Sequence, residues 1–154
     1  MARIYTVQIT QVAVTATQDL FEINPAAGKN CKILALYMSQ TTDFKDAEEE
    51  ILGVLIKAGQ TTSGSGGSAP TPNPTNVTDA AAGFTAEANN TTKATAGTII
   101  THHADAWNVR MPYQLIVPEE MQIELTGSRR LTVEITAPAD SITMNATLYV
   151  KEYG

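Results

Sequence analysis

Histidine, cysteine and paired carboxylates do most of the chemistry available to a small protein at neutral pH, and this chain offers two histidines and one cysteine. His102 and His103 are adjacent. In an extended strand adjacent side chains point to opposite faces, so the pair cannot chelate one ion together. His103 with Asp105 has the two-residue spacing that shares a face, and a third ligand such as Glu87 could be supplied from elsewhere in the fold. Cys31 stands alone beside Lys32, which excludes an intrachain disulfide and reads as a buried, inert thiol. Glu119, Glu120, Glu124 and Glu134 could pair as glycosidase carboxylates, yet on alternating strands they are the expected outward residues opposite Met121, Ile123 and Leu125. Gly64-Ser65-Gly66-Gly67 lacks the Lys-Ser/Thr ending and following helix of a phosphate loop. Arg110, Arg129 and Arg130 are too few and scattered for a nucleic-acid surface. The reading is a protein with no catalytic residues, no metal, no cofactor and no enzymatic activity.

The elements that would carry these side chains are strands. The 154 residues are 43% hydrophobic and 17% charged, enough for one core, and the net charge of -6 disfavours nucleic acid as a partner. The N-terminus runs straight into alternating pattern without a leader or cleavage site, which predicts synthesis in the cytoplasm and no membrane partner. Tyr5, Val7 and Ile9 alternate with polar neighbours before the apolar phase slips to Val12 and Val14, so a bulge is expected near Gln11. Residues 20–23 predict a short strand ending in an Asn24-Pro25 turn with Gly28. In 32–39, Leu34, Leu36 and Met38 share one face and Ile33, Ala35 and Tyr37 the other; both sides are apolar enough to be covered, which suggests a central strand. One or two turns of helix are expected over 42–49, then a strand over 51–57.

Residues 59–76 contain Ser63-Gly64-Ser65-Gly66-Gly67-Ser68 followed by Pro70, Pro72 and Pro74, and nothing there looks able to anchor a core. Neither flank closes a core by itself, so the chain reads as a single β-sandwich domain, 1–154, with one long loop at 59–76. The stretch 79–87 is open between helix and strand. Strands are predicted over 98–104 and 107–117, with a bend at Pro112. Met121-Gln122-Ile123-Glu124-Leu125, a Gly127 turn and Leu131-Thr132-Val133-Glu134-Ile135 together predict a β-hairpin. Ile142, Met144, Ala146, Leu148 and Val150 line one face of a closing strand. Eight or more strands with little helix predict an all-β, jelly-roll-like two-sheet sandwich.

Three stretches carry a family resemblance: Val7-Gln8-Ile9-Thr10 through Phe21-Glu22-Ile23, Thr61-Thr62-Ser63-Gly64 through Phe84-Thr85-Ala86-Glu87, and Ala137-Pro138-Ala139-Asp140-Ser141 with Leu148-Tyr149-Val150-Lys151-Glu152. In these the chain resembles small virion proteins of tailed phages and prophages, similar to head decoration or cement proteins. The resemblance implies a jelly-roll-like body on the virion capsid surface, a homo-oligomer with a trimer favoured, binding to the major capsid protein, and no catalysis. On that reading the segment 59–76, with Ser63, Gly64, Ser65, Gly66, Gly67, Pro70, Pro72 and Pro74, lies along a neighbouring subunit, as does the arm carrying Ile4 and Tyr5. Trp107 is a further candidate for the interface or for the core. The alternative is a fibre-like or carbohydrate-recognition β-sandwich that binds through an exposed aromatic platform.

Overall fold

The computed structural model describes residues 1–42 and 49–154. The expected helix over 42–49 falls mainly on residues outside that description. Among the described residues, eleven strands and one short 3-10 helix follow in order: β1 (Arg3–Val14), β2 (Gln18–Pro25), β3 (Asn30–Gln40), β4 (Ile51–Thr62), β5 (Asn73–Pro74), β6 (Phe84–Asn90), β7 (Thr95–Asn108), β8 (Tyr113–Ile116), the helix (Glu119–Met121), β9 (Glu124–Thr126), β10 (Arg130–Ile135) and β11 (Ile142–Tyr153).

The strands form two antiparallel sheets. One has the order β5-β1-β11-β3-β8, with β9 also on β3, and the other β6-β2-β10-β4-β7. Setting β5 and β6 aside and counting β8 with β9 as one interrupted strand leaves a first sheet of first, eighth, third and sixth strands. The second sheet then holds the second, seventh, fourth and fifth. That alternation between sheets is the order of an eight-stranded jelly roll. The all-β sandwich read from the sequence is the observed fold.

Period-two burial builds the core between the sheets. Ile142, Met144, Ala146, Leu148 and Val150 of β11 are buried. Tyr5, Val7 and Ile9 of β1 stand opposite Val150, Leu148 and Ala146. The phase slip after Ile9 is a bulge in which Gln11 takes φ 54°, so pairing resumes at Val12 and Met144. The second sheet contributes Phe21, Ile23, Leu131, Val133, Ile135, Val54 and Ile56, all without exposed surface. Each such side chain contributes about 2 kcal/mol relative to exposure.

Several expectations are corrected. The predicted hairpin across Gly127 does not form: β9 pairs with β3 in the first sheet, whereas β10 lies between β2 and β4 in the second. The turn therefore carries the chain from one sheet to the other. The two strands predicted over 98–104 and 107–117 divide differently, because β7 runs unbroken through Trp107 and β8 starts after Pro112. In β3, a slip between Ile33 and Ala35 against Val150 and Tyr149 puts Ile33 into the core with Leu36 and Met38. Leu34 is displaced from the face it was expected to share. The strand β4 also continues to Thr62, and Gln60 within it is buried.

Candidate functional site

The outer face of the first sheet carries an uncovered apolar recess. The slip in β3 turns Leu34 and Ala35 toward this face beside Tyr37. Together with Ile4, Ile116, Tyr149 and Thr75 they line a shallow recess of about 300 Å³. Ile4 and Tyr37 are each 38% exposed and Ile116 is 60% exposed. The rings of Tyr37 and Tyr149 meet edge to face at 5.9 Å, which holds both in fixed positions on the sheet surface. A second, more polar recess of about 280 Å³ adjoins it through Tyr37, with Ser39, Gln114, Asn145 and Thr147 among its walls. An exposed apolar strip with a polar rim marks a candidate binding surface. It holds no nucleophile or acid–base pair.

On the second sheet, the outer side of β2 and the edge of β6 are covered by the chain itself. After β4, Ser63 donates to Glu22 Oε1 at 2.7 Å and Gly64 N–H donates to Glu22 Oε2 at 2.9 Å. Ser65 and Thr92 then exchange backbone hydrogen bonds, as do Ser68 and Ala88, so the Gly/Ser segment lies along the free edge of β6. Further on, Asn73 and Pro74 pair with Thr6 and Tyr5, and Thr75 N–H donates to Ile4 O, which covers the edge of β1. This path explains the glycines. A Cβ at Gly67 would lie 2.0 Å from Ala88 O and one at Gly64 2.5 Å from Thr92 O, so the backbone could not come this close with any side chain.

Under that segment lies a charged layer. Glu22 pairs with Arg130 at 2.8 Å, and Glu134 with Lys57 at 2.9 Å and Lys93 at 3.1 Å. Burial would raise the Glu134 carboxyl, but the hydrogen bonds and charges of the two lysines outweigh it and hold the group below its ordinary value. Asp19 accepts from Ala94 N–H at 2.7 Å. Its pKa is nevertheless pushed up from 3.8 to about 6, first by burial and further by the nearby Glu134 and Glu22 charges. Glu134, expected to face solvent, is therefore an internal ion-pair partner.

The other sequence candidates are dispersed. Trp107 is 2% exposed and donates its indole N–H to Met111 O at 2.6 Å; it is a core residue and presents no ring face to a partner. Tyr5 is buried too, with its hydroxyl on Ala80 O and its ring edge-on to Phe84. Of Ile4 and Tyr5, the two candidate contact residues of the arm over residues 1–5, only Ile4 reaches the surface. His103 Nε2 lies 3.7 Å from Asp105 Oδ2, and Tyr113 donates to the same oxygen at 3.2 Å. The Ala106 N–H, then the Tyr113 hydroxyl and His103, keep Asp105 below the ordinary carboxylate value. Glu87 sits on β6 at the opposite edge of this sheet, so it cannot complete a ligand set with His103 and Asp105. Among the described residues no three His, Cys, Asp or Glu side chains gather in a metal-binding group. Cys31 is buried and its thiol is pushed up to about 12 by burial and then by Glu152. Among the described residues no helix is long and apolar enough to cross a membrane.

No protein-family model matches the chain, and no curated protein matches it. Among solved structures it is similar to a chain of the T13 particle of infectious bursal disease virus, at 14% identity and a TM-score of 0.34, over 97% of this chain and 31% of that one. The Gx strain of the same virus matches at 17% identity and TM-score 0.36, over 98% and 33%. Its VP2 subviral particle matches at 12% and 0.32, over 97% and 32%. The chain thus spans about a third of the length of these viral chains.

Proposed function

We propose that this chain is a structural protein of a virus particle, a decoration protein of the phage head type. It attaches to the major capsid protein through the outer face of its first sheet. The observation that carries this reading is the strip of Ile4, Leu34, Tyr37, Ile116 and Tyr149 on a rigid sandwich. A protein whose role is attachment needs such a preformed apolar surface, and many copies on one lattice multiply a weak contact into a firm one. The jelly-roll body suits this work, as the architecture serves capsid and lectin domains as well as cupin enzymes. No catalytic step is part of the proposal. The seat is the particle surface, with synthesis in the host cytoplasm.

The test is co-sedimentation of purified protein with shells of the parent particle assembled without it. The unaltered chain is expected to pellet with the shells, and a chain carrying Tyr37→Glu and Ile116→Glu to stay in the supernatant with its melting temperature nearly unchanged. Undiminished pelleting of that variant would overturn the assignment of the face. Failure of the unaltered chain to bind any shell would overturn the function itself.

A further inference from the structure

The chain covers the edges of β1 and β6 with its own segment, but it leaves one long edge bare. The strand β7 lies at the end of the second sheet, and among the described residues β4 is its only strand partner. Its fourteen residues are exposed on both faces over most of their length; Ile99 is 44% and Ile100 53% exposed. An unpaired edge is a template for another strand, and proteins that keep such an edge single place Lys, Glu, Pro or bulges along it; the register shifts of β7 lie before His103, and from there to Asn108 its pairing is regular. From Thr95 to Asn108 there is no Lys, Arg, Glu or Pro; His102, His103 and Asp105 are the ionisable residues.

The spacing of those groups identifies the occupant. His103 and Asp105 are two residues apart on one face of β7 and meet within the chain at 3.7 Å, a contact that a second copy would exchange between strands. In an antiparallel pair related by a two-fold axis at Ala104, residue 103 of each copy stands opposite residue 105 of the other. A His-x-Asp strand is therefore complementary to itself. The residues that meet at the centre, Ala104 with Ala104 and Ala106 with His102, include small side chains that do not hold the strands apart. Between Ile56 and Ile51 the β4 pairing runs in unbroken register from His103 to Asn108, so half of the new ladder rests on regular sheet.

We infer that β7 is the pairing edge for a second copy of this chain, joined antiparallel about Ala104 so that each His103 faces the partner's Asp105. The pair is isologous and closes on itself, making a continuous ten-stranded sheet from two five-stranded ones. A two-fold dimer is then the unit this edge makes, in place of the trimer implied by the family resemblance. The first-sheet strip remains free for attachment, so this inference does not depend on the proposed function.

The experiment is sedimentation equilibrium of the full chain over a wide dilution series, with hydrogen exchange of the same samples. A reversible dimer is expected, with amides of 99–106 gaining protection as concentration rises. His103→Glu, which sets like charges across the axis, should raise the dimer dissociation constant about tenfold or more. His103→Glu combined with Asp105→Lys restores opposite charges and should restore the dimer; melting curves of both variants show that each is folded. A monomer at every concentration, a trimer, protection gained elsewhere than at β7, or a dimer indifferent to the charge reversal would each overturn the pairing.

Discussion

Arg130 on β10 and Glu22 on β2 form an ion pair of 2.8 Å in which the carboxylate side chain is 2% exposed. The same carboxylate receives Ser63 and the Gly64 N–H, so one group ties two neighbouring strands to the segment that lies over them. A buried carboxylate of this kind is stable only while its donors remain.

Arg130→Ala leaves Glu22 charged, buried and short of a partner. It is expected to lower stability by about 3 kcal/mol, read as a lower urea midpoint at constant slope. Arg130→Lys, which keeps the charge but loses the guanidinium geometry, should fall between the two.

The acid side of the stability profile follows from Asp19 and Glu134, which act in opposite directions. The folded pKa of Asp19 is raised to about 6 from 3.8, so its favourable contribution is present below its unfolded value and is lost as pH rises through about 6. Glu134 has a lowered folded pKa, so its contribution is present above the ordinary value of 4.5 and is lost as pH falls through the lowered one. Asp19→Asn is therefore expected to flatten the decline between about pH 4 and pH 6, a gain of up to about 3 kcal/mol at pH 7. Urea unfolding of both chains at the two pH values checks it.

Gly67 has no room for a side chain against Ala88 O. Gly67→Ala is expected to cost about 2 kcal/mol and to loosen the segment from β6, seen as faster exchange of the Ala88 and Thr92 amides. A deletion of 64–71 should likewise lower the melting temperature and expose the β6 edge to association. This differs from a segment that reached only toward a neighbour, whose removal would spare the fold.

Trp107 should emit in the blue range of indole fluorescence and resist a polar quencher, because its ring is enclosed and its N–H is bonded to Met111 O. A saturable change on adding sugars would contradict that enclosure and favour a carbohydrate-binding reading.

What could be read from the sequence depended on the range of the interaction. The closing strand was legible because alternate residues from Ile142 to Val150 need only a buried face and an open one. The bulge at Gln11 was legible as a phase slip between two apolar runs. The pairing of 121–125 with 131–135 was misread because two alternating runs around Gly127 have the same local pattern in a hairpin as in a crossing between sheets; only distant strands decide. Leu34 was misplaced for a related reason, since its slip is set by Tyr149 and Val150 on β11. The apolar strip was missed because both faces of β3 are apolar enough to be covered, and nothing in its own residues says which face stays open. Ile4 was the one predicted contact residue found there. Glu22 and Glu134 gave no sign of burial, because their partners are distant in sequence: Ser63, Gly64 and Arg130 for Glu22, and Lys57 and Lys93 for Glu134.

The placement of β11 between β1 and β3 also governs how the chain can acquire its structure. Arg3 to Val14 find their long partner only in Ile142 to Glu152, so during synthesis the first strand emerges well before the last. Until then its hydrogen-bonding groups and the apolar row of Tyr5, Val7 and Ile9 have no native cover along that side. Contacts so distant along the chain make folding slow, and they leave an incomplete chain exposed to association with its neighbours on the ribosome. Folding of the first sheet is thus a late event, completed as its final strand slides between two that have been waiting for it.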